Sequence, residues 1–351
     1  MNANCLPPTI ANAISNDIVS LIVNPTEKCN LRCSYCYETF SLGKMRRNVV
    51  DGILNFVKRR AESGLKVFQL ELFGGEPLSA WSVVETLALN ASAICKKNGT
   101  AFIGSMTTNA VLLNQPRLDI LATNGINGFQ ITLDGPEYIH NKRRIDSRGT
   151  GSFRSVWSAL QLIKASHHQV KVSIRVHFDP ETLPALIGSD GFIRDLARSF
   201  VKDDDRFSLH FHALGRLGGP NDHAIQIFAA KEEALAILTE EMLNTGCKQE
   251  QVSGYPSFCY AASANSFVIR SDGRVAKCTV AFEDARNTVG KLLENGDMII
   301  DHSKHLLWLR GLISGEPSAL ACPLGDLPCD DPSKAALTGV QVTGQELAPA
   351  L

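Results

Sequence analysis

Apolar residues fall along this chain in two rhythms. Short runs rich in β-branched and aromatic residues recur at 18–23, 67–73, 101–107, 128–133, 172–178 and 207–212. Most are bounded by Gly, Pro, Asn or Asp, which is how strands between turns read. Between them lie longer segments, 47–62, 81–97, 117–123, 153–166 and 183–200, with apolar positions every three or four residues. That spacing predicts helices. Strand–helix alternation implies βαβ units and a mostly parallel sheet, hence an α/β fold. Six such strands suit either an open doubly wound sheet or an incomplete barrel, and periodicity does not choose between them. In both, ligands sit at the carboxyl ends of the strands.

The pattern changes after a Gly-rich connector, Gly215-Arg216-Leu217-Gly218-Gly219-Pro220. A polar helix is expected over 231–244. Two short runs, 266–270 and 274–278, flank Ser271-Asp272-Gly273 and read as a β-hairpin with Asp-Gly turn chemistry. A short helix around 305–312 and a loop-rich region follow. After Asp330 apolar periodicity fades. The expected organisation is an arm at 1–17, an α/β unit at 18–220, a bridging helix with a small hairpin/helix domain at 221–330, and a loose tail at 331–351.

Composition narrows the class. Thirty-five Lys and Arg against thirty-six Asp and Glu give a net charge of −1. That balance speaks against a nucleic-acid partner, which would call for a basic excess. No apolar run approaches the ~18–20 residues of a membrane helix, so no membrane partner is expected. The first ten residues lack the charged and apolar regions of a secretory signal, and a cytoplasmic location is expected.

Ten cysteines in 351 residues are the conspicuous chemistry. In a reducing compartment, closely grouped cysteines more often bind metal or react than form disulfides. Cys29, Cys33 and Cys36 follow the first strand with the spacing C-x3-C-x2-C. Three thiolates this close can ligate three irons of a cubane and leave the fourth iron open, as a catalytic metal centre requires. Zinc is the competing reading, but a structural zinc site takes four ligands and this loop supplies no fourth Cys or His. Tyr35 and Tyr37 flank Cys36, and their rings could cover a cluster or cofactor. Cys5, Cys95 and Cys247 are scattered and read as small buried hydrophobes.

The run Cys29–Cys36, with an aromatic residue before the last cysteine, resembles the signature of the radical SAM superfamily. Members bind a [4Fe–4S] cluster whose open iron chelates S-adenosylmethionine, and reductive cleavage of that cofactor gives a 5′-deoxyadenosyl radical. The resemblance implies a partial (β/α)6 TIM-like barrel, which resolves the choice left open above. It also implies cofactor contacts from Gly74-Gly75-Glu76-Pro77, with Glu76 accepting from the cofactor's amino group; without the cysteines, Gly-Gly-x-Pro is an ordinary turn after a strand. Thr108-Asn109 resembles the family's polar pair near the cofactor, and Thr132 and Asp134 stand at the end of the fourth strand. Arg175 matches a position that binds the cofactor's carboxylate, and a charge in an apolar strand needs such a partner. The segment from His140 to Arg144, with Gly149 to Phe153, resembles peptide-modifying members; the plainer reading is a solvated basic loop.

Cys259, Gly273 and Cys278 form C-x13-G-x4-C, similar to the start of the SPASM and twitch extensions that bind auxiliary iron–sulfur clusters. Only Cys322 and Cys329 follow, so this chain has four of the seven cysteines of the complete pattern. Four suffice for one cubane, and one auxiliary [4Fe–4S] cluster on Cys259, Cys278, Cys322 and Cys329 is expected, with four-thiolate zinc as the alternative.

The resemblance implies a maturase that crosslinks a ribosomally made precursor peptide, fed by an electron donor such as flavodoxin or ferredoxin. The alternatives are an anaerobic sulfatase maturase, a peptide epimerase, or a non-catalytic iron–sulfur scaffold or redox sensor. Sulfatase maturases normally carry Asp directly after the G-x4-C cysteine, where this chain has Thr279. Glu76, Asn109 and Arg175 argue against a scaffold, which has no need of cofactor-binding groups. Candidate residues at the substrate are Asp134, Arg216 and His212, with His177 and His210 on the same strands. Hydrogen-bonded strand histidines and a surface arginine are the ordinary readings of these groups.

Overall fold

The computed structural model describes residues 8–247, 252–253, 258–325 and 327. Helix α1 (Pro8–Ile14) leads into β1 (Ile18–Val23), and the short β2 (Leu31–Cys33) lies in the cysteine loop. Then come α2 (Arg47–Glu62), β3 (Val67–Leu72), α3 (Trp81–Lys97), β4 (Ala101–Thr108), α4 (Gln115–Thr123) and β5 (Ile126–Thr132). Helix α5 (Glu137–Arg143) runs directly into β6 (Arg144–Asp146). The barrel half closes with α6 (Phe153–Ala165), β7 (Lys171–Phe178), α7 (Leu183–Leu186), α8 (Phe192–Leu196) and β8 (Phe207–Ala213). The remainder is α9 (Lys231–Asn244), β9 (Val252–Ser253), β10 (Ser266–Ile269), β11 (Arg274–Ala276), β12 (Thr288–Leu292), β13 (Met298–Ile300), α10 (His302–Ser314) and α11 (Pro317–Ala321).

The six strands expected for the barrel, β1, β3, β4, β5, β7 and β8, pair in parallel and in that spatial order. Among the described residues the sheet ends at β13 and β9 without closing, so the barrel they form is partial. Alternation explains its two faces. In β7, Val172, Ile174, Val176 and Phe178 are buried toward the helices, while Ser173, Arg175 and His177 line the inner wall. β8 repeats this, with Phe207, Leu209 and Phe211 outward and Ser208, His210 and His212 inward.

The C-terminal hairpin continues this sheet. Strand β10 pairs in parallel with β1, and β11, β12 and β13 follow in antiparallel order. Helix α2 holds the hairpin from behind: Arg59 pairs with Asp297 at 2.6 Å, and Asn55 donates to the Glu294 carbonyl at 2.9 Å. Its Gly52 lies so close that a Cβ there would sit 2.5 Å from the Leu293 oxygen.

Two sequence expectations need correction. The helix expected over 183–200 is broken into α7, α8 and a short π turn at Ala197–Val201, because Gly188 between them takes φ +92°. The continuous helical stretch 77–97 is long and apolar enough to cross a membrane by length and composition, although no such run was expected. In the fold it is a core helix, burying Val83, Val84, Leu87, Ala88, Ala91 and Cys95.

Candidate functional site

The cysteine loop leaves the carboxyl end of β1 and is clamped by the turn after β3. Gly75 N–H donates to the Thr26 carbonyl at 3.2 Å, and Glu76 N–H to that of Lys28 at 3.0 Å. A Cβ on Gly75 would fall 2.4 Å from the Lys28 oxygen, and one on Gly74, at φ +104°, 2.5 Å from the Thr26 oxygen. These glycines let two backbone segments approach each other, a role distinct from the approach to a ligand expected of them. Pro77 opens the short 3-10 turn that follows, where its missing N–H costs nothing.

Glu76 is fully buried. Its Oε1 accepts from Leu78 N–H at 2.9 Å and the Thr108 hydroxyl at 2.7 Å, and its Oε2 accepts from Asn109 N–H at 2.7 Å. Burial pushes its pKa up, and these donors oppose that shift. Asn109 then reaches the thiol loop, donating to Asn30 Oδ1 at 2.8 Å with Cys29 Sγ 3.7 Å away. One carboxylate thus ties the ends of β3 and β4 to the first cysteine.

A second network supports the other side. Strand β6 pairs antiparallel with β2, which sets Arg144 opposite Cys33. Arg144 Nη1 donates to the Tyr35 hydroxyl at 2.7 Å and lies 3.9 Å from Asp134 Oδ2. The Tyr35 hydroxyl donates to Asp134 Oδ2. Asp134 Oδ1 faces His177 Nδ1 at 3.0 Å. Burial alone would raise the pKa of Asp134, but His177 and Arg144 outweigh it and hold the carboxyl well below its usual range. Burial pushes His177 down to about 4, so its imidazole is neutral.

The run His140–Arg144, read either as a peptide-maturase motif or as a solvated basic loop, is the end of α5 and the start of β6, with His140 and Arg144 buried and Lys142 exposed. Asp134 N–H donates to His140 Nδ1 at 3.2 Å, and His140 Nε2 meets the Ser152 hydroxyl at 3.0 Å. Asn141 fills the space a Cβ on Gly151 would need and accepts from Phe153 N–H at 3.0 Å.

The three thiols suit an iron–sulfur cluster. Burial pushes Cys29 and Cys36 up to about 12 and raises Cys33, while Arg144 lowers all three. Thiolates in this shell therefore call for cationic metal, with Arg144 as fixed support. No three His, Cys, Asp or Glu side chains among the described residues meet closely enough to hold one metal ion. A single zinc would draw its thiolates to within ~4 Å of each other, whereas a cubane keeps them at its corners.

The inner wall supplies the remaining groups. Thr132, Arg175 and His210 are register neighbours across β5, β7 and β8, and His177 and His212 pair one step further on. Arg175 has the Glu71 carboxylate as a nearby counter-charge. Burial and the Arg175 charge push His210 to about 4 and His212 to about 2. A cavity of about 590 Å³ opens beside Tyr35, bordered by Ser34, Arg143, Asp179 and Leu214. Arg216 lies on the exposed connector and bonds the Ile225 carbonyl at 3.2 Å, tying its own loop.

In the second thiol group, Cys278 and Cys322 lie near enough to Cys259, and Cys322 near enough to Cys278, to push the Cys259 and Cys278 thiols up, after the larger effect of burial. Backbone pairing of Cys259 N–H with the Leu320 carbonyl at 2.8 Å brings α11 to the hairpin. Cys329 lies outside the described residues.

Sequence reasoning named Arg144 only as part of a basic run, without its place opposite Cys33, and missed the Glu27–Arg270 pair. Arg144 sits in a three-residue strand, too short to show a period. Glu27 and Arg270 are 243 positions apart, and only the β1–β10 pairing makes them neighbours.

Residues 23–185 match the model of the Radical SAM superfamily. The cysteine-type anaerobic sulfatase-maturating enzyme of Clostridium novyi is 26% identical over 217 residues, 58% of this chain and 54% of that protein. The chain spans about half the length, or less, of the first sulfatase-maturating relatives it matches. The GTP 3′,8-cyclase of Desulforamulus reducens is 26% identical over 72% of each chain. Among solved structures, the fold is similar to native anSMEcpe with bound AdoMet and Cp18Cys peptide, with TM-score 0.62 and 20% identity over 83% of each chain. It is also similar to Streptococcus suis SuiB bound to precursor peptide SuiA, with TM-score 0.57 and 15% identity over 83% of this chain and 65% of the other. Over residues 23–185 this chain therefore carries a domain that matches the Radical SAM superfamily.

Proposed function

We propose that this protein is a peptide maturase that installs a carbon–carbon, ether or thioether crosslink in a ribosomally made precursor peptide. The observation that carries this reading is the tie from Glu76 through Asn109 to the Cys29 loop, which joins cofactor-type polar groups to an open thiol triad. With a [4Fe–4S] cluster on Cys29, Cys33 and Cys36 and S-adenosylmethionine bound, the site would be supplied with a 5′-deoxyadenosyl radical. Glu76 and Asn109 hold the loop and offer acceptors to an ammonium; Thr132 and Arg175 offer donors to a carboxylate. Arg144 supports the thiolates with a buried positive charge. Cys259, Cys278, Cys322 and Cys329 hold one auxiliary [4Fe–4S] cluster, and an external flavodoxin or ferredoxin supplies electrons in the cytoplasm. The peptide substrate is supported by the likeness in fold to structures bound to peptides.

A second reading, oxidation of a sulfatase residue to formylglycine, is favoured by the sulfatase-maturating relatives. Thr279 speaks against it: a carboxylate would be expected there, and the hydroxyl is bonded to Tyr260 OH at 2.8 Å.

Anaerobic reconstitution with iron counting, and mass spectrometry of a peptide encoded beside the gene, tests the proposal. About eight irons per chain and a product lighter by two hydrogens are expected. About four irons, kept in Cys259→Ala but lost in Cys33→Ala, would remove the auxiliary cluster. An unchanged mass with altered stereochemistry would indicate an epimerase.

A further inference from the structure

Asp134 and His177 form a carboxylate–imidazole pair on the barrel's inner wall, and its geometry is that of a poised base. Asp134 is fully buried, and its Oδ1 lies 3.0 Å from His177 Nδ1 and 3.3 Å from His177 N–H. Its other oxygen is occupied by the Tyr35 hydroxyl, with Arg144 at 3.9 Å. A carboxylate so placed holds the neutral ring with its proton on Nδ1 and turns the Nε2 lone pair away from Asp134. Alternation in β7 puts that ring on the wall shared with Arg175, His210 and His212. The His177 side chain keeps 13% of its surface open. Its ring centroid lies 5.0 Å from that of Tyr35, which is sequence-adjacent to Cys36. The pair is therefore one ring away from the thiol triad.

We infer that His177, held by Asp134, is the group that takes the proton lost by the substrate. The inference rests on the peptide-maturase reading. Bond accounting shows why such a group is needed. Joining a carbon to a heteroatom X in an ether or thioether crosslink breaks one C–H and one X–H bond and forms one C–X bond. The C–H hydrogen leaves as an atom to the 5′-deoxyadenosyl radical, and the X–H proton passes to His177 Nε2. The remaining electron goes to an oxidised iron–sulfur acceptor. The charges facing the ring are Asp134, Arg144 and Arg175, with the neutral His210 and His212 and the un-ionised Tyr35 completing the wall. Arg144 and Arg175 oppose prior protonation, so Nε2 is free to accept at neutral pH.

The test combines a ratio with a tautomer. In His177→Gln and Asp134→Asn, deoxyadenosine formed per modified peptide should rise at least tenfold, and added imidazole should lower it again in His177→Gly. An unchanged ratio in a folded, iron-loaded His177→Gln variant overturns the inference. Should that variant not fold, ¹⁵N NMR of the metal-free wild type decides: Nδ1–H is required, and Nε2–H overturns it. If the wild type makes no deoxyadenosine with any peptide, the maturase reading fails instead, whatever the tautomer.

Discussion

Arg270 meets Glu27 with both prongs of its guanidinium at 2.8 Å, and the two side chains are only 2% and 1% exposed. Nη1 donates to the Phe282 carbonyl at 3.1 Å, and the guanidinium lies 4.5 Å from the Phe282 ring centre. Glu27 belongs to the cysteine loop and Arg270 follows β10, so the C-terminal hairpin is a wall of the catalytic loop. Removing one partner strands a buried charge, which typically costs about 3–5 kcal/mol. Arg270→Gln should lose that much in urea unfolding, and Glu27→Gln/Arg270→Gln should recover most of it. A loss below about 1 kcal/mol, the value of an exposed pair, would contradict this account.

Gly75 tests the clamp. Its Cβ position is met by backbone, the Lys28 oxygen at 2.4 Å and the Glu27 oxygen at 2.7 Å, so no side chain can swing aside. Gly75→Ala should destabilise by about 1–3 kcal/mol and reduce iron bound by the triad. Gly43, also in the loop, has no atom within 4 Å of a Cβ and no positive φ, and Gly43→Ala should be neutral. Equal iron loading in both variants would remove the clamp.

Glu76→Gln replaces one acceptor oxygen by an NH2 group while three donors still point at the carboxylate. A buried donor left facing another donor costs about 1–3 kcal/mol. The variant should melt earlier and bind S-adenosylmethionine at least about tenfold more weakly, a factor that 1.4 kcal/mol produces. Calorimetric binding equal to wild type would free Glu76 of that role.

His140 should make the metal-free protein acid-sensitive. Burial lowers its pKa from 6.5 to about 4, and its Nδ1 already accepts from Asp134 N–H. The folded state therefore takes up a proton less readily than the unfolded chain. Stability is unaffected above pH 6.5 and falls as pH drops from 6.5 toward 4, by roughly 3 kcal/mol for this group. Replacing it by Gln should flatten that part of a denaturation series; an unaltered slope would refute the assignment.

The parallel core was legible because its signals are local. Alternating burial in β3, β7 and β8 follows directly from alternating residue type, and the cysteine spacing is read within eight positions. Glycine-broken α7 and α8 were not legible, since apolar spacing continues through a segment whose backbone turns at Gly188.

Sequence alone determined the strand–helix alternation, the thiol triad, Glu76 with Asn109, and the family resemblance they carry. Each depends on residue type at short separation, where chain geometry leaves few choices. Tertiary structure decided that the hairpin extends the barrel sheet, that Arg270 closes on Glu27, and that Arg144 lies opposite Cys33. It also turned Asp134 from a residue at a strand end into the holder of His177. These contacts join distant segments, and their stability comes from burial and charge pairing that exist only once the sheet has brought them together.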